Sequence, residues 1–368
     1  MSVALPARIA QAAADAAGPT LLYDLAAIAA RLDAIAAAAQ RSDVGVLAAA
    51  KALPVPAVAA LAVARGLGLD LAGPEEDRLA ELPVSALSVT YPGGASPTRL
   101  ATLCRPGRRV IVSCETAAQV AAAAAVPGVE VALRLSTSAL GLAAPGGLRT
   151  ADGHVSRFGV DLDELPGLVR ERVHALHLHG GPLATAPATL AARAAAAVAA
   201  AEAAGLPLTR LDLGGSLHGF ALAAPTAGQA TLADALRAVR AAVPASLELA
   251  IEPGRLITEG AGYATGEVLV ARTVDGQPVR VLSLSRLCHL RWSTPRLCGP
   301  PARPGAGLRV VLVGATCCED DVVGDALVPD LTALAEGQRL VLAGVSGYAA
   351  AWNRGFAGVP AAAVLAVG

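Results

Sequence analysis

The sequence is poor in aromatic residues, in unbalanced charge and in uninterrupted apolar runs, and each shortage excludes something. Aromatic side chains make up 2% of the 368 residues, and the formal net charge is −1. No basic stripe with interleaved aromatics is present, so nothing in the composition points to nucleic acid. Near-neutrality likewise gives no electrostatic reason to expect an anionic membrane as partner. The apolar stretches are Ala-rich and broken by Gly, Pro or charge, and none reads as a membrane span. The opening "MSVALPARIAQAAADAAGPT" carries Asp15 and lacks a basic start followed by a dense Leu/Val run, so no signal peptide is expected. The six cysteines have no metal-type spacing, and Cys317 and Cys318 are adjacent. A reduced, cytoplasmic protein without a bound metal is the simplest expectation. What the chain does have is hydrophobic residue, 54% against 16% charged, enough for a large core. Much of it is alanine, which suits helices but blurs periodicity.

Short β-rich runs recur, each followed by a helical stretch. Strands are predicted near 44–50 (VGVLAAA), 67–72 (LGLDLA), 86–91 (ALSVTY) and 109–113 (RVIVS). Four more fall near 129–136 (VEVALRLS), 173–179 (VHALHLH), 209–215 (TRLDLGG) and 247–252 (LELAIE). Helices are expected between them, in "PVPAVAALAVARG" with Pro at its start, in "ETAAQVAAAA", and in "LAARAAAAVAAAEAAG", which stops at Gly205. Apolar strands alternating with helices imply an α/β protein whose parallel sheet is covered on both sides. Eight such units over roughly 210 residues fit a closed (β/α)8 TIM barrel better than an open doubly wound sheet. After residue 255 the rhythm changes to β runs with few helical spacers, "YATGEVLVARTV", "QPVRVLSL", "LRVVLVG" and "QRLVLAG". The expected organisation is a barrel over residues 25–257 and a mainly β domain over 258–368, joined by residues 1–24.

Barrel strands carry chemistry at their C-terminal ends. Lys51, the only lysine in the first third of the chain, ends the first predicted strand. Asp70 lies near the end of the second and Arg134 near the end of the fifth. His177 and His179 end the sixth. "LDLGG" places Asp212, Gly214 and Gly215 at the seventh, and "IEPGR" places Glu252, Gly254 and Arg255 at the eighth. Taken singly these have ordinary readings, a snorkelling lysine, a satisfied core histidine, a glycine turn. Their shared rim makes them a candidate site. A lysine at a dry strand end can lose its proton and form a Schiff base with a carbonyl. The two glycine-bearing loops and Arg255 offer donors to a phosphate. Glu252 could hold a proton on a pyridine nitrogen, and His179 could stack on a flat ring. Aldehyde, phosphate and pyridine nitrogen together describe pyridoxal 5′-phosphate.

From about residue 20 onward the chain resembles the fold type III pyridoxal-phosphate decarboxylases, whose barrel is of the alanine racemase type and whose members include ornithine, arginine and diaminopimelate decarboxylases. "AAAKALP" resembles the family's lysine strand and "GLGLDLAGPEED" its G-x-G-x-D-x-A-S-x-x-E stretch. "SRFGV" resembles S-K-F-G, "ALHLHGGP" resembles G-x-H-x-H-x-G-S, and "LDLGGS" the glycine turn. "IEPGR" is identical to a family hallmark. "GATCCEDDVV" resembles G-P-T-C-D-S-x-D, and "SGYAAAWNRGF" the G-A-Y segment before a Phe-Asn pair. The resemblance implies that Lys51 bonds to the cofactor aldehyde, His179 stacks on the ring and Glu252 pairs with the ring nitrogen. It implies that Gly214, Gly215, Gly254, Arg255 and Tyr348 hold the phosphate, with Asp70 and Arg134 along the ring's other edge. It further implies a homodimer in which Cys317 comes from the second subunit as proton donor, with Arg157 and Asp321 at positions that pair across the interface.

Four departures stand out, of which the last two touch substrate choice rather than cofactor chemistry. Pro182 and Gly73 stand where the family has serines. Cys318 replaces the acidic residue that reads a substrate's distal amino group, with Glu319 and Asp320 one and two places off. "LSLSRLCHLRWSTPRL" does not match the segment leading to an Arg-Pro-x-Leu-Tyr signature, and Cys298 stands roughly where its tyrosine would be. These favour a decarboxylase of unusual, acylated diamino acids, as in siderophore biosynthesis, where His289, Arg291 and Arg296 could meet substrate carboxylates. Diaminopimelate decarboxylase, an amino-acid racemase on the same barrel and a non-catalytic relative are the competing readings.

Overall fold

A computed structural model describes residues 5–138, 140, 153–154, 156–168, 172–179, 185–223, 225–299 and 307–368. The chain divides into two compact units, one of Ala29–Lys51 and Pro56–Ile257, the other of Met1–Ile28, Ala52–Val55 and Thr258–Gly368. Strand β1 (Thr20–Asp24) belongs to the second unit. Eight parallel strands build the first: β2 (Val44–Ala49), β3 (Gly68–Leu71), β4 (Ala86–Val89), β5 (Arg109–Cys114), β6 (Val129–Leu135), β7 (Val173–Leu178), β8 (Arg210–Asp212) and β9 (Glu248–Ile251). They close into a barrel in chain order, β9 returning to β2 with Val44 opposite Leu249. This is the expected (β/α)8 architecture. The strands are nearly continuous apolar runs because helices cover them outside and side chains fill them inside.

Local chemistry explains the helix starts. Pro56 opens the helix Pro56–Val63, where its missing N–H costs nothing. Thr116 caps Ala117–Ala124 by accepting the Gln119 amide, and Thr231 and Asp234 form a reciprocal capping box on Leu232–Ala242. The helix Pro187–Ala203 is followed by Gly205 at φ +67°, the left-handed conformation that ends it. The strands stop short of several expected ends. β8 covers three residues, since Gly214 at φ +63° turns the chain away, and β9 stops at Ile251, before Pro253. Lys51 sits two residues past the end of β2, in the 3-10 turn Ala50–Ala52. Register then aligns the polar ends: Asp70 lies opposite Ala49 and Ser88, and His177 opposite Arg134 and Asp212.

The second unit is mainly β, as expected. Its strands are β10 (Gly262–Val274), β11 (Gln277–Leu282), β12 (Arg296–Leu297), β13 (Leu308–Val313), β14 (Val322–Val328), β15 (Arg339–Ala343) and β16 (Ala363–Val367). They run in the order β12-β15-β10-β11-β13-β14, and β1 pairs antiparallel with β10 and parallel with β16. Every residue of β1 is buried, and the preceding helix Ala7–Ala14 packs Ile9 and Ala13 on Leu22, Tyr263 and Ala343. Among the described residues no helix is long and apolar enough to cross a membrane.

Candidate active site

Charge on the barrel strands sits at their ends: Arg109, Glu130, Arg210 and Glu248 pair at the N-terminal ends, and a second group gathers at the C-terminal rim. Lys51 Nζ lies 2.9 Å from Asp70 Oδ2, with the carboxylate fully buried and the lysine side chain 27% exposed. Thr90, two residues beyond Ser88 in "LSVTY", donates its hydroxyl to Asp70 Oδ1 at 2.8 Å. The amine is therefore held at a defined point while its tip remains accessible. Lys51 is moreover the only lysine in the chain: every other permanently charged cation is an arginine. Arginine cannot lose its proton to become a nucleophile. The chain's one side-chain amine thus stands at this rim.

Glu252 is buried and follows β9. Ser88 donates to its Oε1 at 3.0 Å, and His177 Nε2 lies 3.2 Å from its Oε2. Burial alone would push this carboxyl up. The His177 imidazole, the hydrogen bonds from His177 and His179, and the Lys51 charge overcome it and hold Glu252 well below the usual carboxylate range. His179 Nδ1 lies 3.4 Å from both Glu252 Oε2 and the Gly215 amide. One nitrogen cannot donate to the first and accept from the second at once, so the two contacts alternate with the tautomer. Burial lowers the His179 pKa against the pull of Glu252, favouring the neutral ring. Asp212 behaves oppositely to Glu252. Burial and the Glu252 charge push it up to about 6, against the pull of His177, of Arg210 at 3.5 Å and of the Gly214 amide at 2.9 Å.

The Gly214–Gly215 turn forms a wall in which a side chain has no room. A Cβ on Gly214 would sit 2.3 Å from the Leu178 carbonyl oxygen, and one on Gly215 would sit 3.0 Å from that of Glu252. Gly214 donates its amide to Asp212 Oδ1. Gly254 is buried and Arg255 half-buried at the start of the short helix Arg255–Thr258. On the far edge Arg134 is buried, with Nη1 3.2 Å from Glu115, Nη2 donating to the His179 carbonyl at 3.1 Å, and its guanidinium 4.4 Å over the Phe158 ring. Its Nε is buried with no hydrogen-bond partner, a donor that a bound group could satisfy.

In the β unit the expected residues divide. Cys317 is exposed and Cys318 half-buried, with Glu319 and Asp320 exposed beside them. Tyr348 stands edge-on to Trp292 at 5.1 Å, Trp292 is 5.7 Å from Trp352, and Arg291 lies 4.4 Å over the Trp352 ring. Both tryptophans of an aromatic-poor chain thus share one cluster. Two expectations fail. His289 is fully buried, accepting the Ser285 amide at Nδ1 and donating from Nε2 to the Pro360 carbonyl, so neither ring nitrogen is left for a substrate. Asp321 is also buried and spends Oδ1 on Ser285 and the Arg286 amide and Oδ2 on Thr316, so it braces its own loop instead of pairing with Arg157 across an interface. Arg157 stacks on the Phe158 ring at 4.2 Å. Pro182 lies outside the described residues.

Sequence reasoning assigned no role to Ser88, Thr90, Ser113, Glu115, Phe158 or the first histidine of "HLH". A signal was present: polar residues two apart in otherwise apolar barrel strands, Ser88 with Thr90 and His177 with His179, must face one side together. Glu76, also unassigned, accepts the Ala72 amide at 2.8 Å just beyond β3.

This site fits pyridoxal 5′-phosphate on structural grounds: one amine, a buried anion, a half-buried imidazole, a side-chain-free turn and an orphan guanidinium nitrogen. The comparisons agree. The chain is similar in structure to lysine/ornithine decarboxylase from Vibrio vulnificus complexed with cadaverine, at 21% identity over 99% of each chain and TM-score 0.78. It is similar to arginine decarboxylase of Paramecium bursaria Chlorella virus, at 18% identity over 98% of each chain and TM-score 0.77. It is also similar to a mutant diaminopimelate decarboxylase from Helicobacter pylori complexed with L-lysine, at 17% identity over 98% of this chain and 94% of that one, TM-score 0.77. No curated protein matches the sequence significantly. The family described as "Pyridoxal-dependent decarboxylase, pyridoxal binding domain" matches residues 25–259, the whole barrel with its lysine, histidine and glutamate, and the chain belongs to that family of pyridoxal-phosphate enzymes.

Proposed function

We propose that the enzyme decarboxylates an α-amino acid whose distal end carries no free ammonium group, such as an acylated diamino acid in specialised metabolism of the siderophore type. The observation behind this is the chemistry of position 318. Burial pushes the Cys318 thiol up, so near neutrality it is an uncharged thiol that cannot balance a substrate ammonium. The nearest buried carboxylate, Asp321, is committed to its own loop. The exposed Arg291 with Trp352 offers instead a guanidinium and a ring face, suited to a planar acyl or carboxylate group.

In this reading the chain's residues divide the work. Lys51, held by Asp70, attaches the cofactor and yields to the substrate amine. Glu252 keeps a proton on the ring nitrogen by remaining ionised, His179 covers the ring face, and Gly215, Gly254, Arg255 and Tyr348 hold the phosphate. The cofactor supplies the electron sink for carbon dioxide loss. Cys317, exposed on the β unit, returns a proton to the α-carbon in a homodimer's neighbouring site. The test is carbon dioxide release from ornithine, lysine and meso-diaminopimelate against their terminally N-acylated counterparts. Higher kcat/KM on an acylated substrate is expected; a preference for free meso-diaminopimelate overturns the substrate assignment in favour of lysine biosynthesis. Racemised substrate without carbon dioxide overturns the reaction itself.

A further inference from the structure

We infer that Ser113 and His177 form a positioning pair that fixes Glu252 as an anion with one face turned to the cofactor. The inference rests on the proposed role of Glu252 at the ring nitrogen. His177 is buried to 1% exposure and lies across the barrel from Glu252. Its Nδ1 is 2.9 Å from Ser113 Oγ and its Nε2 is 3.2 Å from Glu252 Oε2. If the serine hydroxyl donates into Nδ1, the imidazole proton is placed on Nε2, where it can only point at the carboxylate. Ser88 holds the other oxygen at 3.0 Å. The carboxylate's partners come from β4 and β7 and the carboxylate itself from the end of β9, with Ser113 of β5 behind His177, so a chain of contacts ties four strands together. A carboxyl gripped this way can neither rotate nor accept a proton without losing hydrogen bonds.

The surroundings make such a grip necessary. Asp212 shares the same buried layer and competes with Glu252 for protons. The other charged or titratable groups in contact range are Lys51, Arg134 and His179, with Arg210 behind Asp212. Lys51 is already paired with Asp70 and Arg134 with Glu115. His177 pulls on both carboxylates but gives its Nε2 hydrogen bond to Glu252, so it favours Glu252 as the anion of the pair. The neighbouring His179 cannot substitute, because its ring is the surface on which the cofactor would lie.

The test compares His177→Phe, His177→Gln and Ser113→Ala with Glu252→Gln, using Arg172→Gln at the opposite end of β7 as a control. Cofactor affinity is measured by titration of apoprotein, and the pH profile of the bound cofactor's long-wavelength absorbance is recorded. Loss of a hydrogen bond to a charged group predicts roughly 10- to 100-fold weaker cofactor binding in His177→Phe and a displaced absorbance profile. His177→Gln, which keeps a donor, should recover most of both, and Ser113→Ala should fall between. Infrared difference spectra of the apoproteins between about pH 5 and pH 8 give a reading free of cofactor: a protonated carboxyl band absent from Glu252→Gln should be enlarged in His177→Phe. If Glu252→Gln alters cofactor affinity and spectrum but His177→Phe and Ser113→Ala do not, the positioning role is overturned while the role of Glu252 stands. If Glu252→Gln itself changes nothing, both fall. Should His177→Phe fail to fold, Ser113→Ala decides by the same criteria.

Discussion

Replacing Glu76 by glutamine should make the protein more stable in mild alkali and leave it unchanged in acid. Glu76 follows β3, half-buried, with Oε2 accepting the Ala72 amide. Burial pushes its carboxyl up, the Ala72 hydrogen bond and Lys51 pull it down, and the nearby Asp70 and Asp77 charges push it further up, from 4.5 to about 7. Between those values the folded protein holds a proton that the unfolded chain has released. Stability therefore falls as pH rises through that window and is flat above it. At 1.36 kcal/mol per pH unit of displacement, the charge costs about 3 kcal/mol once both states are ionised. Glutamine keeps an oxygen for the Ala72 amide and carries no charge to bury. Urea denaturation of both proteins across the acid-to-alkaline range should show curves that coincide below the unfolded-state value and separate by about 3 kcal/mol above the folded one. Parallel curves throughout, or a variant that weakens at alkaline pH, refute the argument and mean that water or a shift of Lys51 solvates the carboxylate.

Three other substitutions probe the site and its support. Because Lys51 is the sole lysine, borohydride reduction of the cofactor-loaded protein should label one peptide, and Lys51→Ala should abolish both that label and the long-wavelength absorbance; a band that survives removes Lys51 from its role. Gly214→Ala forces a side chain to φ +63° with its Cβ 2.3 Å from the Leu178 oxygen. It should lower the thermal midpoint by the equivalent of roughly 1–3 kcal/mol and weaken cofactor retention, and an unchanged melt shows that the turn relaxes freely. Asp321→Asn keeps the shape but turns an amide toward the Thr316 donors or the Ser285 and Arg286 donors, so a loss of roughly 1–3 kcal/mol is expected in denaturation. A variant as stable as the parent shows that the loop carrying Cys317 does not depend on this carboxylate.

The barrel was legible because its strands carry their own signature: short apolar runs that alternation cannot explain, separated by helical lengths and stopped by glycine or proline. Lys51, Asp70, His179 and Glu252 were legible because a charged residue at the end of such a run has few reasons to be there. What stayed hidden was direction. "TLLYD" is buried throughout and could have joined either unit, and only its pairing with β10 and β16 decides. His289 lies in the divergent "CHLRW" stretch and Asp321 just after the candidate cysteines, and both read as functional residues, yet both point inward and close backbone turns. The partnership of Ser113 with His177 joins residues 64 positions apart on different strands, and no local pattern announces it. Sequence motifs fix which residues lie at the rim; they do not fix which oxygen meets which donor, and the protonation of the site depends on that.

That dependence explains the arrangement of carboxylates at this end of the barrel. Asp70, Asp212 and Glu252 are all buried, and taking three carboxylates out of water is costly unless each finds donors. Asp70 has the lysine and Thr90; Glu252 has Ser88 and His177; Asp212 has one backbone amide and a distant guanidinium. Asp212 is therefore the member whose carboxyl is pushed up, to about 6, while Glu252 is held well below the usual carboxylate range. A core chosen for stability alone would have replaced all three by apolar side chains, as the strands below them did. Their retention, with donors drawn from the ends of several strands, fits the proposed role of Glu252: the cost of burial falls where it holds one carboxylate ionised and leaves its neighbour the easier to protonate.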